Sequence, residues 1–148
     1  MILMKLTKAL TLVAALGVAT SLNAADKIVA GPKGGRLLET TLQKTEFVVN
    51  EDRTVEINFY DATLKPVAPT GEVVAVTAEV RGGRTALALE KTAMGYVSKS
   101  ALPEGEPYRV VVQVRANADA RPQNFRIELN MEKCAECLHP EYACICGH

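Results

Sequence analysis

Apolar and polar residues alternate with a period of two along most of residues 45–131, the spacing of strands with one buried face. Over residues 53–60, Val55, Ile57 and Phe59 share one face, and Thr54, Glu56, Asn58 and Tyr60 take the other. The run TEFVVN at 45–50 precedes it, and the polar pair Glu51-Asp52 between the two predicts a hairpin. Alternation resumes at 72–80, with Val74, Val76 and Ala78 opposed to Val73, Ala75 and Thr77. Gly82-Gly83 marks a turn, and residues 84–91 read as one further strand. Residues 94–99 form a short candidate strand. Residues 108–114 place Tyr108, Val110, Val112 and Val114 on one face, and 123–131 point Phe125, Ile127 and Leu129 inward.

Between these runs lie turn and breaker residues: Pro66, Pro69 and Gly71 in one connection, and Leu102-Pro103-Glu104-Gly105-Glu106-Pro107 in another. No amphipathic helix pattern appears beyond residue 25. About seven short strands at this spacing predict an all-β fold, an Ig-like antiparallel β-sandwich. Trp is absent and aromatics make up 5% of the chain, so the core must be mainly aliphatic. Charged residues on the strands read as solvated faces.

The first 24 residues stand apart. Lys5 and Lys8 precede an apolar run from 9 to 19 that is too short to span a bilayer, and small residues follow up to Ala24. This is the pattern of a secretory signal peptide cleaved after Ala24, with Ala25 the alternative, and it predicts a soluble periplasmic protein without a membrane anchor. Of the 17 basic residues, Lys5 and Lys8 would be lost, leaving 15 against 17 acidic ones. That balance argues against a nucleic-acid binder, which needs a basic excess. Residues 25–44 read as a flexible Gly/Pro-containing entry segment, 45–131 as the sandwich and 132–148 as a Cys/His-rich tail. Gly31-Pro32-Lys33-Gly34-Gly35 in the entry segment is no phosphate loop, because no Gly-Lys-Ser/Thr follows.

The tail carries the chemistry. All four cysteines (Cys134, Cys137, Cys144, Cys146) and both histidines (His139, His148) of the chain lie within its last fifteen residues. Thiolate and imidazole are soft to borderline ligands, suited to Zn²⁺ or Cu(I). The Cys-x2-Cys and Cys-x-Cys pairs offer four thiolates to one ion, with His139 and His148 as additional candidate ligands. The short loop between the pairs is not that of a standard zinc finger, and Cys-x-Cys also suits Cu(I). The alternative is a disulfide-stapled interaction or structural sandwich, because an exported protein with an even cysteine count meets oxidising conditions. Pairing across the two halves is sterically easier than closing either short pair on itself. A thiol oxidoreductase is a weaker third reading, since the Cys-x2-Cys follows a strand and not a helix start. No acid–base or nucleophile–base constellation is legible in the sandwich, so no enzyme is expected.

The segment from Gly31 to Leu37, then Glu46-Phe47, Phe59-Tyr60-Asp61 with Lys65-Pro66-Val67, and the turn from Leu102 to Tyr108 resemble a known domain. It is the small periplasmic β-domain at the N-terminus of heavy-metal efflux adaptor (membrane-fusion) proteins of the RND type. The resemblance covers roughly residues 31–130 and implies a sandwich. It further implies a stand-alone accessory role in metal handling, with a periplasmic efflux component as partner. That family's Gly-Pro-x-Gly-Gly segment often carries His where this chain has Lys33, and the Cys/His tail lies outside its pattern.

Overall fold

The structure, a computed structural model, describes residues 27–147. The signal-peptide reading and His148 lie outside the described residues.

Two antiparallel sheets face one another. The five-stranded sheet has the order β1 (Arg36–Glu39), β2 (Lys44–Val49), β3 (Val55–Tyr60), β7 (Gly95–Ser98), β6 (Leu89–Lys91). The four-stranded sheet has the order β5 (Gly83–Leu87), β4 (Val73–Val80), β8 (Tyr108–Arg115), β9 (Gln123–Leu129). The all-β sandwich expected from the alternation is therefore present. Its core is aliphatic with two buried phenylalanines. Phe47, Val55, Ile57 and Phe59 from one sheet meet Val76, Ala78, Val110, Val112, Ile127 and Leu129 from the other. The Tyr108 hydroxyl donates to the Pro103 carbonyl five residues upstream. Such a bond ties a strand start to its preceding corner, as tyrosines do in Ig-like sandwiches.

Two strand expectations need correction. Residues 84–91 are not one strand: β5 pairs with β4 in one sheet and β6 pairs with β7 in the other, the chain crossing between them at Ala88. Local alternation is continuous across such a crossing, because Leu87 and Leu89 both turn toward the core, and only the partners reveal the switch. Residues 36–39, read as part of the entry segment, form the edge strand β1, paired with β2 from Arg36↔Phe47 to Glu39↔Lys44. Four residues are too few to show a period.

The crossing at Ala88 closes one side of the sandwich. On the opposite side β1 and β9 are the edge strands, β1 being partly flanked by the Ala30↔Arg36 bridge. Just after β1, the Thr41 backbone N–H and hydroxyl donate to Gln123 Oε1, at the start of β9, at 3.0 and 2.8 Å.

The outer face of β2 and β3 also departs from simple alternation. Glu46, Asn58 and Tyr60 are on that face yet buried. The Gly31–Gly35 segment covers Glu46, which in turn holds the Tyr60 hydroxyl. The Glu46 carboxylate accepts the Lys33 and Gly35 backbone N–H groups, each at 2.9 Å, and the Tyr60 hydroxyl at 2.7 Å. The glycine loop thus cradles an anion after all, but the anion is the chain's own carboxylate. Glycine is needed at position 31 for space, since a Cβ there would lie 2.3 Å from Glu46 Cδ.

Candidate metal centre

The tail is built onto the sandwich by backbone hydrogen bonds. After β9 the Glu132 N–H caps onto Asn130 Oδ1 at 2.9 Å, and Lys133 bridges to Pro140. Between them the chain makes a tight turn: Cys134 N–H donates to the His139 carbonyl at 2.9 Å and Leu138 N–H to the Cys134 carbonyl at 3.0 Å. Leu138 takes a φ of 62°, a left-handed conformation unusual for leucine, and its side chain is exposed. This turn brings Cys134 and Cys137 to one side.

The return arm runs back along the same strand end. Glu141 N–H donates to the Glu132 carbonyl and Tyr142 N–H to the Asn130 carbonyl. A single 3-10 turn, Glu141–Ala143, then buries Tyr142 and Ala143 in the core. It lies against both β1 and β9, the edges on the open side of the sandwich. Tyr142 meets Phe47 edge-on, with ring centroids 5.6 Å apart. Beyond this turn Cys144 is extended and aims the last pair of cysteines back at the first.

All four sulfurs lie within 4.8 Å of one another. Cys134 Sγ is 3.7 Å from Cys146 Sγ, and Cys137 Sγ is 3.7 Å from Cys144 Sγ. An ion with Zn–S bonds of about 2.3 Å at the centre of a regular tetrahedron sets sulfur–sulfur edges of about 3.8 Å. The two short contacts are opposite edges of such a figure. Cys134 and Cys144 are buried, whereas Cys137 and Cys146 are partly exposed.

Crowding and burial oppose ionisation of the Cys144 and Cys146 thiols. The Cys146 backbone N–H favours the Cys144 thiolate, but burial and the neighbouring Cys134 and Cys137 sulfurs outweigh it, and the Cys144 thiol is pushed up. Cys146 is raised further, first by desolvation and then by the three other thiols and Glu136. Four thiolates at this spacing need a cation between them, and a divalent metal supplies that charge.

The histidines stand differently. His139 does not belong to the sulfur group; its ring edge, Nδ1 and Cε1, lies over Gly34 of the entry loop. The Cys134 N–H uses the His139 carbonyl, and the His139 ring lies toward the loop and apart from the four sulfurs. The tail also differs from an appendage anchored only where it leaves β9, since Tyr142 and Ala143 are core residues. Sequence reasoning missed both Tyr142 and Glu46. An aromatic between two cysteine pairs was the available signal for the first, and a lone acid within the apolar run TEFVV for the second.

Comparison of the chain with protein-family models, curated proteins and solved structures finds no match. Among the described residues no helix is long and apolar enough to cross a membrane.

Proposed function

We propose that this is an exported metal-binding protein whose tail holds one zinc ion through Cys134, Cys137, Cys144 and Cys146. The observation that carries the reading is the mutual approach of four sulfurs, with two opposite contacts of 3.7 Å. Four thiolates in a tetrahedron suit Zn²⁺; Cu(I), with its preference for fewer soft ligands, would use only part of the set. When bound, the ion neutralises the thiolates and links the Cys-x2-Cys turn to the return arm. The protein's part is to pre-position the ligands: the turn closed by Cys134 and Leu138 sets one pair, and the buried Tyr142 sets the other.

The same reading gives the ion a binding and buffering role in the periplasm, beside a metal-efflux component as partner. The likeness to the efflux-adaptor domain supports that context. The residues that carry it, Gly31 to Gly35, Glu46 and Tyr60, meet in one hydrogen-bonded cluster, and His139 of the tail lies against its Gly34.

The test is metal analysis of protein purified anaerobically, for the native chain and for Cys137→Ser and Cys144→Ser. Native protein carrying stoichiometric zinc, with loss in both variants, supports the reading. Equally little metal in all three under reducing conditions overturns it. Point variants are preferred to removal of the tail, which would also take Tyr142 from the core.

A further inference from the structure

We propose that the tetrathiolate is also a peroxide-sensitive switch, in which oxidation joins Cys134 to Cys146 and Cys137 to Cys144, expels the zinc and leaves the tail closed on the sandwich. The zinc part of this rests on the function proposed above; the pairing rests on geometry alone.

Four cysteines allow three pairings. Two cross the halves of the tail, and spacing along the chain does not choose between them. The structure does: the 3.7 Å contacts join Cys134 with Cys146 and Cys137 with Cys144. These pairs are nested, the inner loop lying inside the outer one, so both bonds can form without threading the chain. Each pair also joins one partly exposed sulfur to one buried sulfur. An oxidant therefore reaches one member of each pair, Cys137 or Cys146, while its partner, Cys144 or Cys134, is held in contact and shielded.

The chemistry balances with hydrogen peroxide as oxidant. The exposed sulfur attacks one peroxide oxygen, the O–O bond breaks, and the sulfur becomes a sulfenic acid while hydroxide leaves and is protonated to water. The buried partner's thiolate then attacks the sulfenic sulfur, forming the S–S bond and releasing a second water. Two peroxides take four electrons from the four thiolates of the zinc site. With four protons taken up, the products are two disulfides, four waters and free Zn²⁺. A disulfide sulfur is no longer an anionic ligand, so the ion is lost. The cross-links still tie the Cys134–Cys137 turn to the arm that carries Tyr142, so the core stays plugged.

The experiment starts from the full zinc-loaded protein without its signal segment. Hydrogen peroxide is titrated in while a chromophoric chelator reads released zinc, and the intact mass is followed. A Glu-specific digest cuts after Glu136 and Glu141 and separates Cys134, Cys137 and the Cys144–Cys146 segment. Partial reduction with stepwise alkylation then assigns each bond. The expected result is complete zinc release, a mass lower by about 4 Da than the reduced metal-free chain for two disulfides, and the two pairs named. Zinc-loaded protein that yields other pairs, or sulfinic acids in place of disulfides, overturns the switch and leaves the zinc site standing. Reduced protein that binds no zinc overturns the zinc site and the release with it, and the mapped pairs then decide the connectivity of a stapled tail.

Discussion

The hydroxyl of Tyr142 accepts the backbone N–H of Val49 at 3.0 Å, across 93 residues of chain. Val49 ends β2 beyond the last β1 pair, at Arg36↔Phe47, so no strand of the sheet takes this N–H. The tail supplies the missing acceptor and its ring fills the space beside Phe47. The cysteine-bearing return arm is thus held by the core of the sandwich, and the positions of Cys144 and Cys146 follow from it.

Tyr142→Phe keeps the ring contact and removes the acceptor, leaving a buried donor unpaired. Stability should fall by about 1–3 kcal/mol. Tyr142→Ala also opens a cavity and should cost about 3–5 kcal/mol. Urea unfolding of both variants in the reduced, metal-free state measures this. A Tyr142→Phe midpoint equal to wild type would show that water replaces the hydroxyl at Val49.

Zinc should stabilise the reduced protein by mass action, by about 2.7 kcal/mol at a free concentration one hundred times Kd. The gain should be local. Amide exchange is expected to speed up on chelation at Cys134, Leu138, Tyr142 and Cys144, whose N–H groups close the turn and the return arm. The central strand β8, covered on both edges by β4 and β9, should be protected equally with and without metal.

Glu46 and Gly31 should be energetically coupled. Glu46→Ala orphans the Lys33 and Gly35 N–H groups and the Tyr60 hydroxyl, and should destabilise by about 2–3 kcal/mol. Gly31→Ala drives a Cβ into the Glu46 side chain and should also destabilise. In the Glu46→Ala background the added methyl has room, so a double-mutant cycle should return a coupling of about 1 kcal/mol or more. Additive losses would mean that the loop relaxes away from the strand.

Acid should weaken the fold through Glu72. Its burial works to raise the carboxyl, but its own backbone N–H, those of Gly71 and Thr70 and the Thr70 hydroxyl prevail, and the group sits below its ordinary 4.5. A depressed folded value means that the contribution is present above the unfolded value and is lost as pH falls through the folded one. Glu72→Gln should therefore lose less stability than wild type between about pH 6 and pH 3. Unfolding curves across that range check it; parallel losses would assign the acid sensitivity to other carboxylates.

The sandwich was legible because burial of one strand face imposes a period of two. Val55, Ile57 and Phe59, like Val110, Val112 and Val114, are inward where their alternation puts them. The same rule failed at Glu46 and Tyr60, because the glycine loop upstream covers Glu46 and Glu46 holds the Tyr60 hydroxyl, and period alone carries no information about a second cover. Composition likewise located the chemistry, since four cysteines confined to one short stretch mark soft-ligand sites wherever the stretch folds.

By itself, then, the sequence determined the class of fold, the strand faces and the residues of the cluster, all of which follow from local spacing and residue chemistry. Tertiary structure decided what depends on distant partners. It split residues 84–91 between two sheets and buried Glu46 beneath the glycine loop. It turned His139 toward Gly34, and it chose Cys134 with Cys146 and Cys137 with Cys144 as nearest sulfurs. Each of those outcomes rests on a partner distant in the chain: β4 and β7 for residues 84–91, the glycine loop for Glu46, and the β2 end, through Val49 and Phe47, for the arm that carries Tyr142; no local pattern encodes a contact of that separation.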